Sequence, residues 1–330
     1  MYMKLLVTGG LGFIGSNFIL QLLEKNQEIQ ITNIDAEFYG SSFQNLKKIK
    51  ENKNYQFIKG NINDVKLMRK LIEKNDIIIN FAAESFVDRS ISNASPFLES
   101  NVNGVFTILE LIKENKKRFV HISTDEVYGS LKEESAIEET RFNPSSPYSA
   151  TKAAAELLIN SYTKTYDSDC LITRCTNNYG PRQFAEKLIP KTIILAYYNK
   201  EIPVYGTGKN IRDWLYVTDH CSAIEKVLQD GKKGESYNIS GNYEIDNITI
   251  VKEILSLMNK SEELITYVED RPGHDFRYSM KSEKIRNELQ WSQKIDFKEG
   301  IKNTVKWYLD NIEWWKNIAK EAFTSTPWKN

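Results

Sequence analysis

The chain has 330 residues, with 44 basic and 44 acidic side chains and a formal net charge of zero. Its hydrophobic fraction of 41%, with 12% aromatic residues, is enough for a full core and argues against a disordered chain. The charges form no basic stripe, so nucleic acid is not an expected partner, and any bound phosphate has to be held by local groups.

In chain order, KLLVTG (4–9) reads as a strand and IGSNFILQLLEK (14–25) as a helix. QITNID (30–35) and YQFIKGNI (55–62) read as strands, followed by the helix VKLMRKLIEK (65–74). DIIINFAA (76–83) is the next strand and FLESNVNGVFTILELIKEN (97–115) the next helix. RFVHIST (118–124), the long helix SPYSATKAAAELLINSYTKTY (146–166) and the strand DCLITRCTN (169–177) complete the first half. Alternation of this kind gives an α/β fold, a doubly wound parallel sheet of Rossmann type with helices on both faces.

Beyond residue 177 the elements shorten between prolines and glycines. The expected division is a dinucleotide-binding domain over 1–176 and a smaller, interleaved substrate domain over 177–330. The strand IRDWLYV (211–217) and helix DHCSAIEKVLQ (219–229) are expected to return to the first domain within 211–240. A helix over NITIVKEILSLMN (247–259) and an aromatic-rich helix over 297–315 follow. The latter carries Trp307, Trp314 and Trp315, which suit either a core or an interface.

Cys170, Cys175 and Cys221 are too few for a disulfide framework and lack zinc spacing, so no metal site is expected. MYMKLLV meets glycines before a long apolar segment can form, and no apolar run reaches membrane-spanning length. These features predict a cytoplasmic protein with no membrane partner.

TGGLGFIGS (8–16) joins the first strand to the first helix, with Gly9, Gly12 and Gly15 at G-x-x-G-x-x-G spacing. Such a loop gives a tight turn, a backbone that approaches a pyrophosphate, and close helix–strand packing. Asp35 ends the second strand, where a carboxylate accepts from the adenosine ribose and repels a 2′-phosphate. NAD is therefore expected over NADP.

Tyr148 and Lys152 stand four residues apart at the start of the long helix, on one face. An ammonium there is expected to lower the tyrosine pKa, so that the phenol moves a proton to or from a sugar hydroxyl. HISTDEVYG (121–129) ends an apolar strand in Thr124, Asp125 and Glu126. Ligands of open parallel sheets bind beyond such carboxyl ends, and two acids there can divide acid and base work. A simple dehydrogenase needs only Thr124, Tyr148 and Lys152; the acid pair suggests a second reaction, such as loss of water.

Taken together, TGGLGFIGS, FAAESFVDRSI, HISTDEVYG, PYSATKAAAE, NNYGPRQFAEKLIP, PVYGTGKNIRDWLYV and DRPGHDFRY resemble the extended short-chain dehydrogenase/reductases. Within them the chain resembles the dTDP-glucose 4,6-dehydratases, nearly end to end; a related group acts on UDP-glucose. The resemblance implies NAD-dependent oxidation of a hexose at carbon 4 by Tyr148 and Lys152, with Thr124 on the carbon 4 oxygen. Glu126 then removes the carbon 5 proton while Asp125 protonates the departing carbon 6 hydroxyl, and hydride returns to carbon 6. It implies an NAD site lined by Gly9, Gly12, Phe13, Ile14, Gly15, Asp35, Asn61, Ile62, Ala82, Ala83, Ser100 and Asn178, with Tyr148 and Lys152. The sugar nucleotide would be held by Ser85, Thr124, Asn177, Lys187, Leu188, Pro203, Tyr205, Arg212, Asn247, Arg271, His274 and Tyr278. Lys187, Arg212 and Arg271 would supply cations for its diphosphate. Asp88 and Arg89 are read as structural partners, and a homodimer through paired helices is implied by analogy.

Four positions depart from the family pattern: Asn61 stands for an aspartate, Phe86 for a histidine, Ala185 for a proline and Ser100 for a threonine. They bear on the shape of the nucleotide pocket and not on the T-D-E or Tyr/Lys sets. The rival readings are a sugar-nucleotide 4-epimerase or decarboxylase of the same fold, and a non-catalytic NAD-binding regulatory protein. The latter would not need Asp125, Glu126, Tyr148 and Lys152 together.

Overall fold

The structure is a computed structural model that describes residues 3–317, 320–324 and 326–329. Seven short β-branched runs form its main sheet: β1 (Met3–Thr8), β2 (Ile29–Asp35), β3 (Tyr55–Lys59), β4 (Ile77–Asn80), β5 (Arg118–Thr124), β6 (Cys170–Cys175) and a later strand, Ser236–Ile239. All pairings in it are parallel. From one edge the order runs Ser236–Ile239, β6, β5, β4, β1, β2, β3. The winding reverses between β1 and β4, and that switch point opens a crevice at the carboxyl ends of both strands.

Side-chain alternation on β1 divides the core between the two faces. Leu5 and Val7 pack with Phe18, Ile19 and Leu22 of α1 (Phe13–Lys25) and with Ile224 and Val227. Leu6 points the other way, onto Met68 and Ile72 of α2 (Val65–Lys74) and onto Ile108, Ile112 and Ile159. Full burial of each such side chain is worth roughly 1.5–3 kcal/mol, so this double-sided core holds the crevice rigid from below. A short helix, α3 (Val87–Ser92), follows the loop after β4.

The single strand expected over 169–177 breaks at Thr176. Beyond the break, β7 (Asn177–Tyr179) leaves the main sheet and pairs with the strand Ile211–Tyr216, which also pairs with Glu244–Asp246. The strand over 211–217 therefore does not return to the first sheet as expected. Only the helix Val217–Asp230, against α1, and the edge strand Ser236–Ile239 do so. Apolar alternation marks Ile211–Tyr216 as a strand but leaves its partner to long-range packing.

Two expected helices are interrupted. The one over 97–115 starts with a π-helical stretch, Leu98–Asn103, before the regular helix Gly104–Asn115. There Asn101 is turned inward, donating to Glu84 O and accepting from Glu84 N. The terminal helix ends at Asp310 and resumes as Ile312–Trp315. Trp315 is buried in a core with Tyr308 and Ile301, while Trp314 donates to Asn45 at 2.9 Å, so these rings serve the core.

Candidate active site

The glycine loop is shaped by contact. Gly9 has φ +70°, and a Cβ on it would lie 2.5 Å from Ala82 N. A Cβ on Gly15 would lie 2.6 Å from the carbonyl oxygen of Gly9. Gly12 caps α1 with no side-chain hydrogen bond, and the first turn carries no acid. The free N–H groups and positive end of the helix dipole therefore face the crevice, an arrangement suited to a pyrophosphate. Asp35 accepts from Leu11 N at 2.9 Å and Glu37 N at 2.8 Å, so it braces the loop from the end of β2. Burial raises its pKa, against the lowering effect of those two N–H groups. Phe13, Ile14, Asn61, Ile62, Ala82, Ala83, Ser100 and Asn178 line the same cavity as the three glycines and Asp35. Asn61 already accepts from Asn63 N at 2.9 Å, which leaves its carbonyl one further lone pair.

Ser85, Thr124, Asp125, Glu126, Tyr148, Lys152, Asn177 and Lys187 complete this cavity. A second cavity is lined by Leu188, Pro203, Tyr205, Arg212, Asn247, Arg271, His274 and Tyr278. Glu126, Asn177 and Lys187 belong to both, together with Phe86 and Gln183. Every residue expected at the site thus reaches one of two adjoining cavities.

Thr124 ends β5 and caps the turn Asp125–Tyr128. Its hydroxyl accepts from Glu126 N at 3.3 Å and donates to Asp125 Oδ1 at 3.1 Å. The other carboxyl oxygen of Asp125 is buried without a partner. Burial, and then the neighbouring Glu126, push the Asp125 pKa well above the usual carboxylate range, with Arg212 opposing. Burial raises Glu126 too, but Arg271, Lys187 and Arg212 all pull it down. Burial thus raises both adjacent acids, but three cations restrain Glu126, whereas at Asp125 the Thr124 hydroxyl and Arg212 oppose a rise that Glu126 reinforces.

Tyr148 and Lys152 stand near the start of the helix Pro147–Tyr166, which opens with Pro147 and a Ser146/Ser149 capping box. The Tyr148 backbone N–H donates to Ser90 Oγ at 3.2 Å, which ties this first turn to α3. The tyrosine does not show the lowered pKa expected from its sequence. Burial raises it well above 10, helped by Glu126, while the Thr124 hydroxyl opposes. The Lys152 ammonium is engaged elsewhere: Nζ donates to Ile122 O at 2.6 Å and lies 3.2 Å from His121 Nε2. Burial lowers the lysine to about 8. His121 is held in turn by Asn80 at 3.0 Å, and Asn80 accepts from Thr8 at 2.5 Å. Burial, and then the charge of Lys152, keep the imidazole neutral. This chain of partners carries no sequence signal beyond an apolar strand that contains a histidine.

Around the second cavity, Arg212 stacks 4.2 Å over Tyr278 and donates to Asp275 O at 2.9 Å. The Tyr278 hydroxyl is 2.7 Å from Asp275 and 3.4 Å from Glu126. Lys187 donates to Ser85 O at 2.8 Å and lies 4.8 Å from the centre of the Phe86 ring. His274 pairs with Asp270 at 2.5 Å, yet burial and the charges of Arg271 and Arg212 lower its pKa to about 4. Phe86, noted in the sequence, has two neighbours that sequence reading missed: Tyr39, Phe86 and Phe184 meet edge to face, with centroids 4.9–5.7 Å apart.

The family model described as GDP-mannose 4,6 dehydratase matches residues 6–304. A dTDP-glucose 4,6-dehydratase of Streptomyces niveus is 44% identical over 331 residues, covering 98% of each chain. The chain belongs to this dehydratase family. Among solved structures, a dTDP-glucose 4,6-dehydratase of Bacillus anthracis in complex with NAD shares 45% identity. Its TM-score is 0.91, over 96% of this chain and all of that one. DesIV, a dTDP-glucose 4,6-dehydratase from Streptomyces venezuelae with NAD and TYD bound, superposes at TM-score 0.94 with 40% identity. That match covers 96% of this chain and 100% of that one. The fold is shared more widely: a UDP-glucuronic acid 4-epimerase of Bacillus cereus superposes at TM-score 0.89 with 28% identity, covering 93% and 99%. A fold held in common by dehydratases and epimerases leaves the decision between them to the site.

Proposed function

We propose that the chain is a nucleotide-sugar 4,6-dehydratase that converts dTDP-glucose to its 4-keto-6-deoxy product and water. The observation that carries this reading is the Asp125–Glu126 pair, two adjacent buried acids, with Asp125 Oδ2 unpartnered and Glu126 facing both cavities and three cations. The Gly9–Gly15 loop and Asp35 fit NAD, as the uncapped, acid-free start of α1 requires. Bound NAD supplies the hydride acceptor for carbon 4 and the hydride donor for carbon 6.

The chain's own groups do the rest. Tyr148 takes the proton of the carbon 4 hydroxyl as its phenolate, the form that burial disfavours and the Lys152 cation supports, with Thr124 beside the oxygen. The ketone acidifies the carbon 5 proton, and Glu126, whose carboxylate form Arg271, Lys187 and Arg212 favour against its burial, removes it. Asp125, kept protonated by its apolar burial, gives its proton to the leaving hydroxyl of carbon 6. Its unpartnered Oδ2 is the atom free to carry that proton. Lys187, Arg212 and Arg271 hold the diphosphate, and Ser85, Asn177, Leu188, Pro203, Tyr205, Asn247, His274 and Tyr278 enclose the nucleotide and sugar.

A homodimer belongs to the same proposal. The helices Gly104–Asn115 and Pro147–Tyr166 expose Phe106, Leu157 and Tyr166, as paired interface helices would. Sedimentation tests it. A cytoplasmic setting is proposed with it: the three cysteines are free and buried, and no described helix is long and apolar enough to cross a membrane. The function itself is tested by incubating the purified protein with dTDP-glucose, and separately with UDP-glucose, and following the keto product. Turnover to a 4-keto-6-deoxy sugar supports the reading, whereas clean inversion at carbon 4 identifies an epimerase.

A further inference from the structure

Two charged residues of α3, Asp88 and Arg89, lie outside the groups assigned to the sugar or to NAD. Each nevertheless spends its charge on the second half of the chain. Arg89 donates from Nε and Nη2 to Glu186 at 3.1 and 3.0 Å, next to Lys187. Asp88 divides its two oxygens: Oδ1 accepts from Arg271 Nη1 at 2.7 Å, and Oδ2 accepts from the Tyr205 hydroxyl at 2.9 Å. Its partners come from different segments. Tyr205 ends the strand Ile202–Tyr205, whereas Arg271 lies in a loop 183 residues along the chain from Asp88. All three side chains line the second cavity, and the Asp88 and Arg271 side chains are only 12% and 14% exposed.

The remaining valence of Arg271 is informative. With Nη1 held by Asp88, its Nε is buried and has no partner. Buried guanidinium donors are normally satisfied, so a bare one in a cavity also lined by Lys187 and Arg212 points to an anionic oxygen. Asp88 cannot be that ligand's partner, because a carboxylate has no proton to donate and repels an anionic oxygen. Its effect is to fix the guanidinium plane and the tyrosine ring relative to each other before a ligand arrives, so that the ordering cost of binding is already met.

We propose that Asp88 is a positioning residue for nucleoside-diphosphate recognition, one that sets Arg271 and Tyr205 in a single geometry and leaves the rest of the guanidinium for a phosphate oxygen. This rests on the reading of Arg271 as a diphosphate-binding residue. It predicts a defect that falls mainly on ground-state binding of the substrate, with a smaller one on the step at Glu126, whose ionisation Arg271 favours.

The test is a double-mutant cycle on the full chain, with KM and kcat for dTDP-glucose and the affinity for the free nucleoside diphosphate dTDP. Asp88→Asn is expected to raise KM and weaken dTDP about tenfold, the scale of one misplaced charged hydrogen bond, with kcat within about twofold of the parent. Arg271→Gln is expected to weaken both further. The double variant should then lose much less than the product of the two single effects, because Asp88 acts through Arg271. Tyr205→Phe removes only the hydroxyl and keeps the ring, so it tests the second arm even if Asp88→Asn folds poorly; it should raise KM about threefold. The proposal is overturned if Asp88→Asn leaves KM unchanged or improves it, if kcat falls as far as KM rises, or if the two single effects multiply in full. An Arg271→Gln variant with unaltered KM would instead overturn the reading of Arg271 itself.

Discussion

The amino nitrogen of Lys152 lies 3.2 Å from Nε2 of His121, and both side chains are buried. A lysine in such a place is costly, and burial lowers its pKa from 10.5 to about 8. The sign of the linkage is definite. Below about pH 8 the lysine is charged both folded and unfolded, so the folded state carries the whole cost of burying the charge. From there up to 10.5 the folded chain sheds a proton that the unfolded chain keeps, and the cost shrinks as pH rises. Lys152→Met is therefore expected to stabilise the protein by about 3 kcal/mol at neutral pH, with the gain vanishing towards strongly alkaline pH. The same variant should oxidise carbon 4 roughly 10²–10⁴-fold more slowly, a trade of stability for activity. Denaturant unfolding across pH and single-turnover absorbance of the bound nicotinamide check the two halves. A variant that reduces NAD at the parent rate removes Lys152 from the first step.

Asp35 gives a second prediction, on cofactor choice. Its carboxylate braces Leu11 N and Glu37 N and presents negative charge at the end of β2. Asp35→Asn keeps an oxygen for one of these donors and removes the charge that repels a 2′-phosphate. The NAD-to-NADP affinity ratio should fall by at least tenfold, mostly through a gain for NADP. Calorimetric titration of both cofactors measures it, and an unchanged ratio would mean that discrimination resides in another group.

A third prediction concerns the support beneath the acids. Arg174 and Glu156 pair at 2.7 Å with side chains 3% and 0% exposed, and Glu156 also accepts from Ser123, the residue before Thr124. Removing one partner of such a pair strands the other charge in the core. Glu156→Gln is expected to cost roughly 3–5 kcal/mol of stability. Urea unfolding tests it, and a loss below about 1 kcal/mol would show that the pair is solvated.

Which of these features could be read from the sequence follows from how local they are. The glycine loop, Asp35, the Tyr148–Lys152 spacing and the acids after β5 are encoded within a few residues of one another, and the structure gathers them into one cavity. The family pattern supplied the scattered pocket residues, which no periodicity could have found. The strand Ile211–Tyr216 was recognisable as a strand, but its pairing with β7 depends on a break at Thr176 that leaves no local mark. His121 reads as one residue of an apolar strand, because its partners Lys152 and Asn80 are 31 and 41 residues away. The raised Tyr148 pKa likewise has non-local causes: burial and Glu126 push it up, while the Lys152 ammonium is bonded to Ile122 O and held beside His121.

The adjacent acids provide the most discriminating prediction. Glu126→Gln keeps Tyr148, Lys152 and the NAD-binding loop, so carbon 4 is still oxidised. The reaction should then stall, because no group removes the carbon 5 proton, and exchange of that proton with deuterated water should fall at least 10²-fold. Asp125→Asn leaves Glu126 in place but deprives the carbon 6 hydroxyl of its acid. Exchange at carbon 5 should therefore persist there while elimination fails. The surroundings also set a pH difference. Apolar burial holds Asp125 protonated well past the usual carboxylate range, whereas Arg271, Lys187 and Arg212 restrain the rise of Glu126. Between those two ionisations Glu126 is a carboxylate and Asp125 an acid, which is the state that elimination needs. The rate of elimination should rise with pH as Glu126 ionises and fall again as Asp125 does, whereas the carbon 5 exchange that persists in Asp125→Asn should keep only the rising limb. Rapid-quench sampling with a deuterium label across pH resolves the two events. Full exchange and full turnover in Glu126→Gln would take that residue out of the mechanism and return the pair to an ordinary turn.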